Sequence, residues 1–129
     1  MNEPVRKRER VFRSAWFSKA AWKARIKDDE LCSAIRQVML GQADDLGGGV
    51  FKKRLNKNMH RSIILAKGGQ HWVYEYLFAK KDRDNIEDDE LAAFRQLAKS
   101  YEKLTDQQVA QLVKNGHFTE ICHDDEAQV

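Results

Sequence analysis

The spacing of apolar residues changes several times along this chain, and each change marks an element. Residues 11–17, VFRSAWF, are rich in aromatic and β-favouring types and predict a first strand, after which 18–26 reads as a short helix. Asp28 or Asp29 is placed to N-cap a second helix in which Leu31, Ile35, Val38 and Met39 recur at helical spacing as far as Gly41. The period then shortens. Residues 50–55, 60–66 and 71–79 are three β-like runs separated by NKN and by KGGQ, whose paired glycines permit the positive φ of a tight hairpin. Together they predict an antiparallel meander. From Asp88 the helical period returns, with Leu91, Phe94, Leu97, Ala98 and Tyr101 on one face. Thr105 and Gln108 form a capping-box pattern opening a last short helix with apolar Val109, Leu112 and Val113, which Asn115-Gly116 stops.

These elements predict a single α+β domain over residues 11–121, a small antiparallel or mixed sheet with the N-terminal helices on one face and the C-terminal helices beside it. There is no internal repeat and no linker. Residues 1–10, MNEPVRKRER, carry no apolar period and the only proline, and read as a flexible basic arm; residues 122–129 read as an acidic disordered tail. A chain of 129 residues is large enough for a core without metal or disulfide support. Cys32 and Cys122 lie far apart with no CxxC or Cys/His spacing, so both are expected to be free thiols in a reducing cytosol, with a disulfide as the alternative. No apolar run approaches the roughly 20 residues of a membrane span, and the arginine-rich start lacks a signal peptide's apolar stretch. The expected location is cytoplasmic, with no membrane partner.

Charge changes this picture more than composition does. The formal net charge is only +3, yet residues 47–81 hold eight lysines and arginines against one acid, Glu75. The remaining chain is net acidic. Five of the cations, Lys52, Lys53, Arg54, Lys57 and Arg61, fall within ten residues. Segregation of this kind builds a local positive field at small total charge. Side chains alternate along a strand, so Phe51 and Leu55 should go inward while Lys52 and Arg54 share the outer face, about 7 Å apart, a spacing similar to that of successive phosphates along one strand. Lys53 falls on the apolar side and must snorkel at an edge. Arg61 opens the next strand and would return beside Lys52 and Arg54. In the third run, Trp72, Tyr74, Tyr76 and Phe78 alternate with Val73, Glu75 and Leu77, so one face is expected to be wholly aromatic, with Trp72, Tyr74 and Phe78 in the core by default. Lys80 and Lys81 follow at its end. Cations beside flat rings suit single-stranded nucleic acid. Lys53, Lys57, His60, Lys67 and His71, around the same hairpins, are further candidates for RNA contact.

Other chemistries find no support. There is no P-loop, GxSxG or HExxH, and Gly47–Gly49 lack a dinucleotide-binding setting and read as a flexible entry into a strand. The histidines at 60, 71, 117 and 123 show no metal-ligand spacing, and the acids of DRDNIEDDE, residues 82–90, are of the kind favoured at a helix start.

The order of elements, with "LGGGVFKKRL", "RSIILAKGG", "YEYLFAKKDRDNI" and "DDELAAFRQLAKSY", resembles the RelE/HigB branch of the RelE/ParE toxin superfamily over roughly residues 10–121. The resemblance implies the toxin of a type II toxin–antitoxin module: a metal-independent endoribonuclease without cofactor that enters the ribosome and cuts translated mRNA, held in check by a cognate antitoxin protein. On the matching positions, Lys52, Arg54, Arg61 and Lys81 or Lys80 would be the catalytic cations. Where RelE carries a tyrosine beyond the last basic residue, this chain reads Asn85-Ile86-Glu87, so either Tyr76, His60 or Glu87 would substitute or catalysis would rest on the cations alone. The alternatives are a ParE-like poison of DNA gyrase on the same fold and a catalytically inert RNA-binding protein.

Overall fold

A computed structural model describes residues 9–68 and 71–122. Strand β1 (Arg10–Ser14) leads directly into helix α1 (Ala15–Ala24), followed by α2 (Asp28–Met39). A hairpin of β2 (Asp44–Gly47) and β3 (Val50–Leu55) then opens the meander, which continues through β4 (His60–Lys67) and β5 (His71–Ala79). Helices α3 (Asp88–Glu102) and α4 (Asp106–Lys114) and strand β6 (Phe118–Ile121) complete the chain. The six strands form one mixed sheet in the order β2-β3-β4-β5-β1-β6, antiparallel throughout except where β1 pairs parallel with β5. The expected α+β class and the meander are both present.

The first helix begins at Ala15, three residues earlier than the periodicity suggests, because the Ser14 side chain caps it by accepting from the Phe17 N–H. The capping box at Thr105 and Gln108 forms as the sequence indicates. Strands β2 and β6 have weak sequence signals and exist through their partners, β3 and β1. Arg10, the last residue of the expected arm, lies in β1 and pairs with Glu120 of β6 at 2.8 Å. The rest of the arm before Glu9, and the tail after Cys122, lie outside the described residues.

Gly47, Gly48 and Gly49 are not a loose entry to β3. All three have positive φ, and a Cβ on Gly48 would stand 2.7 Å from Cγ of Arg95. The turn is therefore fixed by glycine's freedom at φ > 0 and by close approach to α3, whose Arg95 donates to the Leu46 and Gly47 carbonyls.

The sheet separates two cores. On one face Phe51, Leu55, Ile64, Trp72, Tyr74 and Leu77 pack with Phe17, Ala21, Leu31, Ile35 and Val38 of α1 and α2. The buried Tyr74 hydroxyl donates to the Leu31 carbonyl at 2.7 Å. On the other face Val50, Ile63, Leu65 and Phe78 pack under α3, and Phe12 and Val73 pack with Val109 of α4.

Two expectations fail here. Cys32 and Cys122 are not free thiols: they form a disulfide, Cα atoms 5.4 Å apart, that joins α2 to the residue after β6. Their 90-residue separation in sequence hid a proximity that the sheet creates. The aromatic run of β5 is also not on one face. Ile63 lies opposite Tyr76 but Ile64 lies opposite Tyr74, so Glu75 is an extra residue, a β-bulge. Before it, Trp72 and Tyr74 face α1 and α2; after it, Tyr76 and Phe78 face α3.

Candidate nucleic-acid interface

The bulge decides what surrounds the cations. Register places Arg54 directly opposite Arg61 and Arg61 directly opposite Phe78, in one row across β3, β4 and β5. The next row is Lys52, Ile63 and Tyr76. Lys52, Arg54, Arg61 and Tyr76, which the sequence analysis singled out, are thus brought onto the α3 side of the sheet, and Phe78 joins them. With strands about 4.8 Å apart, the row from Arg54 to Phe78 spans about 10 Å.

Two arginines opposed on neighbouring strands repel, and like charges in this position destabilise a sheet. Neither forms an ion pair with a described residue. Arg54 is exposed, whereas Arg61 is only 9% exposed and its Nη1 donates to the carbonyls of Asn58, at 2.9 Å, and His60, at 3.3 Å. These carbonyls orient the guanidinium without neutralising it. Its other nitrogens have no protein partner among the described residues, yet they are not sealed from solvent as both ring nitrogens of His71 are. An oriented and uncompensated cation of this kind is suited to an anion.

Lys52 is positioned by Asp44, 3.8 Å away on β2, and by Asn85, whose Oδ1 accepts from its Nζ at 3.3 Å. Asn85 belongs to the segment where the RelE tyrosine would stand; there Ile86 packs into the core beneath α3 and Glu87 N-caps that helix. Lys53 points to the opposite face, as alternation requires, and its Nζ donates to the Gln42 carbonyl at 2.9 Å. Burial first, and then the adjacent Arg54, pull its pKa below the usual lysine value.

The remaining candidates divide into two places. Lys57, His60, Lys80 and Lys81 line one groove of about 710 Å³ at the end of the sheet, together with Lys23 of α1. His60 shares a 3.1 Å hydrogen bond between its Nδ1 and the Asn56 amide. Lys67 and His71 lie elsewhere. They pair with each other at the far end of β4 and β5, six residues or about 20 Å along β4 from Arg61. His71 is buried beside the Phe12 ring, 5.7 Å between centroids, so it offers no surface for RNA.

Two residues on this face escaped the sequence reading. Arg83, one turn beyond Lys80, has its guanidinium 5.5 Å above the Phe78 ring, adjoins the Tyr76 hydroxyl and pairs with Glu90. The Glu90 bond holds Arg83 above its ordinary pKa and, reciprocally, Glu90 below its own. Lys80 and Lys81 are exposed in the groove, so Arg83 is the cation that the β5–α3 connection lays over the sheet face. The second is Trp16, whose ring stacks on Tyr76 at 4.9 Å. Neither had a local signal: a single arginine in an acidic loop and a tryptophan in an apolar run acquire their meaning from the sheet order.

A mixed six-stranded sheet with α1 and α2 on one face and α3 and α4 on the other is consistent with a RelE-like fold. The family described as the RelE toxin of the RelE/RelB toxin–antitoxin system matches residues 9–121, and the chain belongs to that family. It is accordingly a toxin of a toxin–antitoxin system, with an antitoxin as its partner. Searches of curated proteins and of solved structures found no match. Among the described residues no helix is long and apolar enough to cross a membrane.

Proposed function

We propose that this toxin is a cytoplasmic, ribosome-dependent mRNA endoribonuclease that needs no metal. The observation that carries this reading is the Arg54–Arg61 pair: two cations opposed on one sheet face, close to Lys52, with no acid among the described residues neutralising them. The repulsion between them is relieved by an anion, and a phosphodiester supplies one. In the proposed reaction the ribose 2′-oxygen attacks the adjacent phosphorus, the 5′-oxygen of the next nucleotide leaves, and negative charge builds on the non-bridging oxygens. Arg61, held in place by two carbonyls, and Arg54 stabilise that charge; preorganised donors of this type are often the largest catalytic contribution. Lys52 binds the neighbouring phosphate. Tyr76 is the group on this face that can pass a proton, its hydroxyl lying against Arg83. The groove with His60, Lys80 and Lys81 carries the strand onward.

The test is to induce the protein in cells and to follow mRNA 5′ ends and DNA replication together. Codon-phased cleavage that disappears with Arg61→Ala is the expected result. Growth arrest with intact mRNA and damaged DNA would replace this reading with a gyrase poison, and no growth defect at all would leave an inert RNA-binding protein.

A further inference from the structure

Helix α1 presents an unusual outer face. Its inward residues Phe17 and Ala21 are buried, while Trp16 and Trp22 are 51% and 80% exposed. Tryptophan carries a large apolar surface, and leaving it in water forfeits the gain of burial unless something else covers it. The helix contains no acidic residue, and Lys19 and Lys23, three and seven positions after Trp16, lie on the same exposed side.

Trp16 differs from Trp22 in being built into the candidate site. One face of its ring stacks on Tyr76, 4.9 Å between centroids and 26° between planes, and Tyr76 is in turn 6.0 Å from Phe78 and 5.7 Å from Phe94. Phe78 lies opposite Arg61. The rings of Trp16, Tyr76 and the buried Phe78 therefore form a contiguous aromatic chain leading from the arginine row to the first turn of α1. Tyr76 is held by its ring neighbours, so the indole rests on a firm support while half of its own surface stays open.

We propose that Trp16 is a nucleobase platform: a base next to the scissile phosphate stacks on the open side of the indole, and Lys19 and Lys23 take the phosphates that follow it. This rests on the RNA-cleaving reading above and adds the group that fixes a base beside the cations. A nucleic acid fits better than an apolar peptide because the exposed ring is flanked by cations alone on its helix. Stacking on an aromatic side chain contributes about 1–3 kcal/mol per base, which corresponds to roughly 5- to 150-fold in affinity.

The test measures binding of a short 2′-O-methyl RNA, which cannot be cleaved because its 2′-oxygen is blocked, to the purified protein by fluorescence anisotropy of a labelled strand. Trp16→Leu should weaken binding roughly tenfold, Trp16→Phe should retain most of it, and Trp22→Ala should leave it unchanged. Leucine keeps apolar bulk on Tyr76 without offering a flat face, so the contrast between leucine and phenylalanine isolates stacking from support of the fold. Unfolding midpoints of the three variants show whether they remain folded. If Arg61→Ala weakens binding while Trp16→Leu does not, the platform is wrong and the phosphate site stands. If neither substitution changes binding, or the RNA does not bind at all, the platform is overturned, while the cleavage reading stands or falls on the mRNA 5′ ends mapped in cells.

Discussion

The two faces of strands β3 to β5 are made from alternate residues of the same stretches, and they end differently. Toward α1 and α2, apolar residues run along the strands: Leu55, Ile64, Trp72, Tyr74 and Leu77 are buried and Phe51 partly so, and the buried hydroxyls of Tyr74 and Ser62 are both satisfied. Toward α3, the apolar core of Val50, Ile63 and Leu65 stops short, and the last row is Arg54, Arg61 and Phe78. The covered face maintains the fold. The open one sets charge beside charge, an arrangement that works against stability and that the proposed phosphate contact would relieve. One strand pair thus carries both the stabilising residues and the proposed functional ones, kept apart by side-chain parity.

The comparison can be broken most forcefully through the disulfide, which braces the covered face. Closing a loop of 90 residues restricts the unfolded chain by on the order of 4–5 kcal/mol in the entropic picture. Reduction, or Cys32→Ser, should therefore lower the denaturant midpoint by a large margin. An unchanged midpoint under reducing and oxidising conditions would mean that the bridge contributes nothing in solution. Next in size is a paired substitution across the sheet. Ile64→Ala removes a fully buried side chain and should cost roughly 2–5 kcal/mol of stability. Arg61→Ala, three residues away on the other face, should lower cleavage by about 10²- to 10³-fold with little loss of stability, because it also relieves repulsion from Arg54. Equal destabilisation by both would erase the distinction between the faces.

Adjacent lysines give a finer contrast. Lys52→Ala should weaken RNA binding several-fold and reduce its salt dependence by about one phosphate contact, whereas Lys53→Ala should do neither, since Lys53 serves the opposite face. Affinity measured at several salt concentrations decides this. The smallest effect belongs to the bulge. Burial raises the pKa of Glu75, partly offset by the hydrogen bond that Tyr101 donates to it at 2.8 Å. The folded state therefore binds the proton more tightly than the unfolded chain, and stability from this group falls as pH rises from the ordinary carboxylate range through the folded pKa. Glu75→Gln should modestly raise the melting temperature at pH 7 and lose that advantage at pH 4. A difference independent of pH would remove Glu75's ionisation as the cause.

Much of the fold was legible because it rests on local chemistry. The alternation in residues 50–79 announced the meander, Thr105 and Gln108 announced α4, and parity separated Lys52 and Arg54 from Lys53 before any coordinates. What escaped was whatever depends on a distant partner. Asp44–Gly47 has little strand propensity and is a strand because β3 offers it an edge. The Cys32–Cys122 bond needed the sheet to bring its ends together. At the site, Lys52, Arg54 and Arg61 could be read from a single hairpin, but Trp16 and Arg83 required the parallel neighbour β1 and the path of the β5–α3 loop. Lys67 and His71 were misplaced for the converse reason: proximity in sequence to the basic hairpin suggested proximity in space, while strand length carried them to its other end.

The extra residue at Glu75 also sets how this chain can vary. It works as a reading-frame shift for the strand, so that everything after it addresses the other layer of the molecule. If Glu75 instead paired regularly and the bulge closed, every side chain would remain and yet Tyr76 and Phe78 would turn toward α1 and α2, and Leu77 out toward the arginines. Point substitutions at most positions of β5 alter one contact each, but closing the bulge with Glu75 still present shifts every residue after it by one and exchanges the two layers. In related chains, whether the strand is bulged between Tyr74 and Tyr76 is therefore a more informative character than the identity of the residue there.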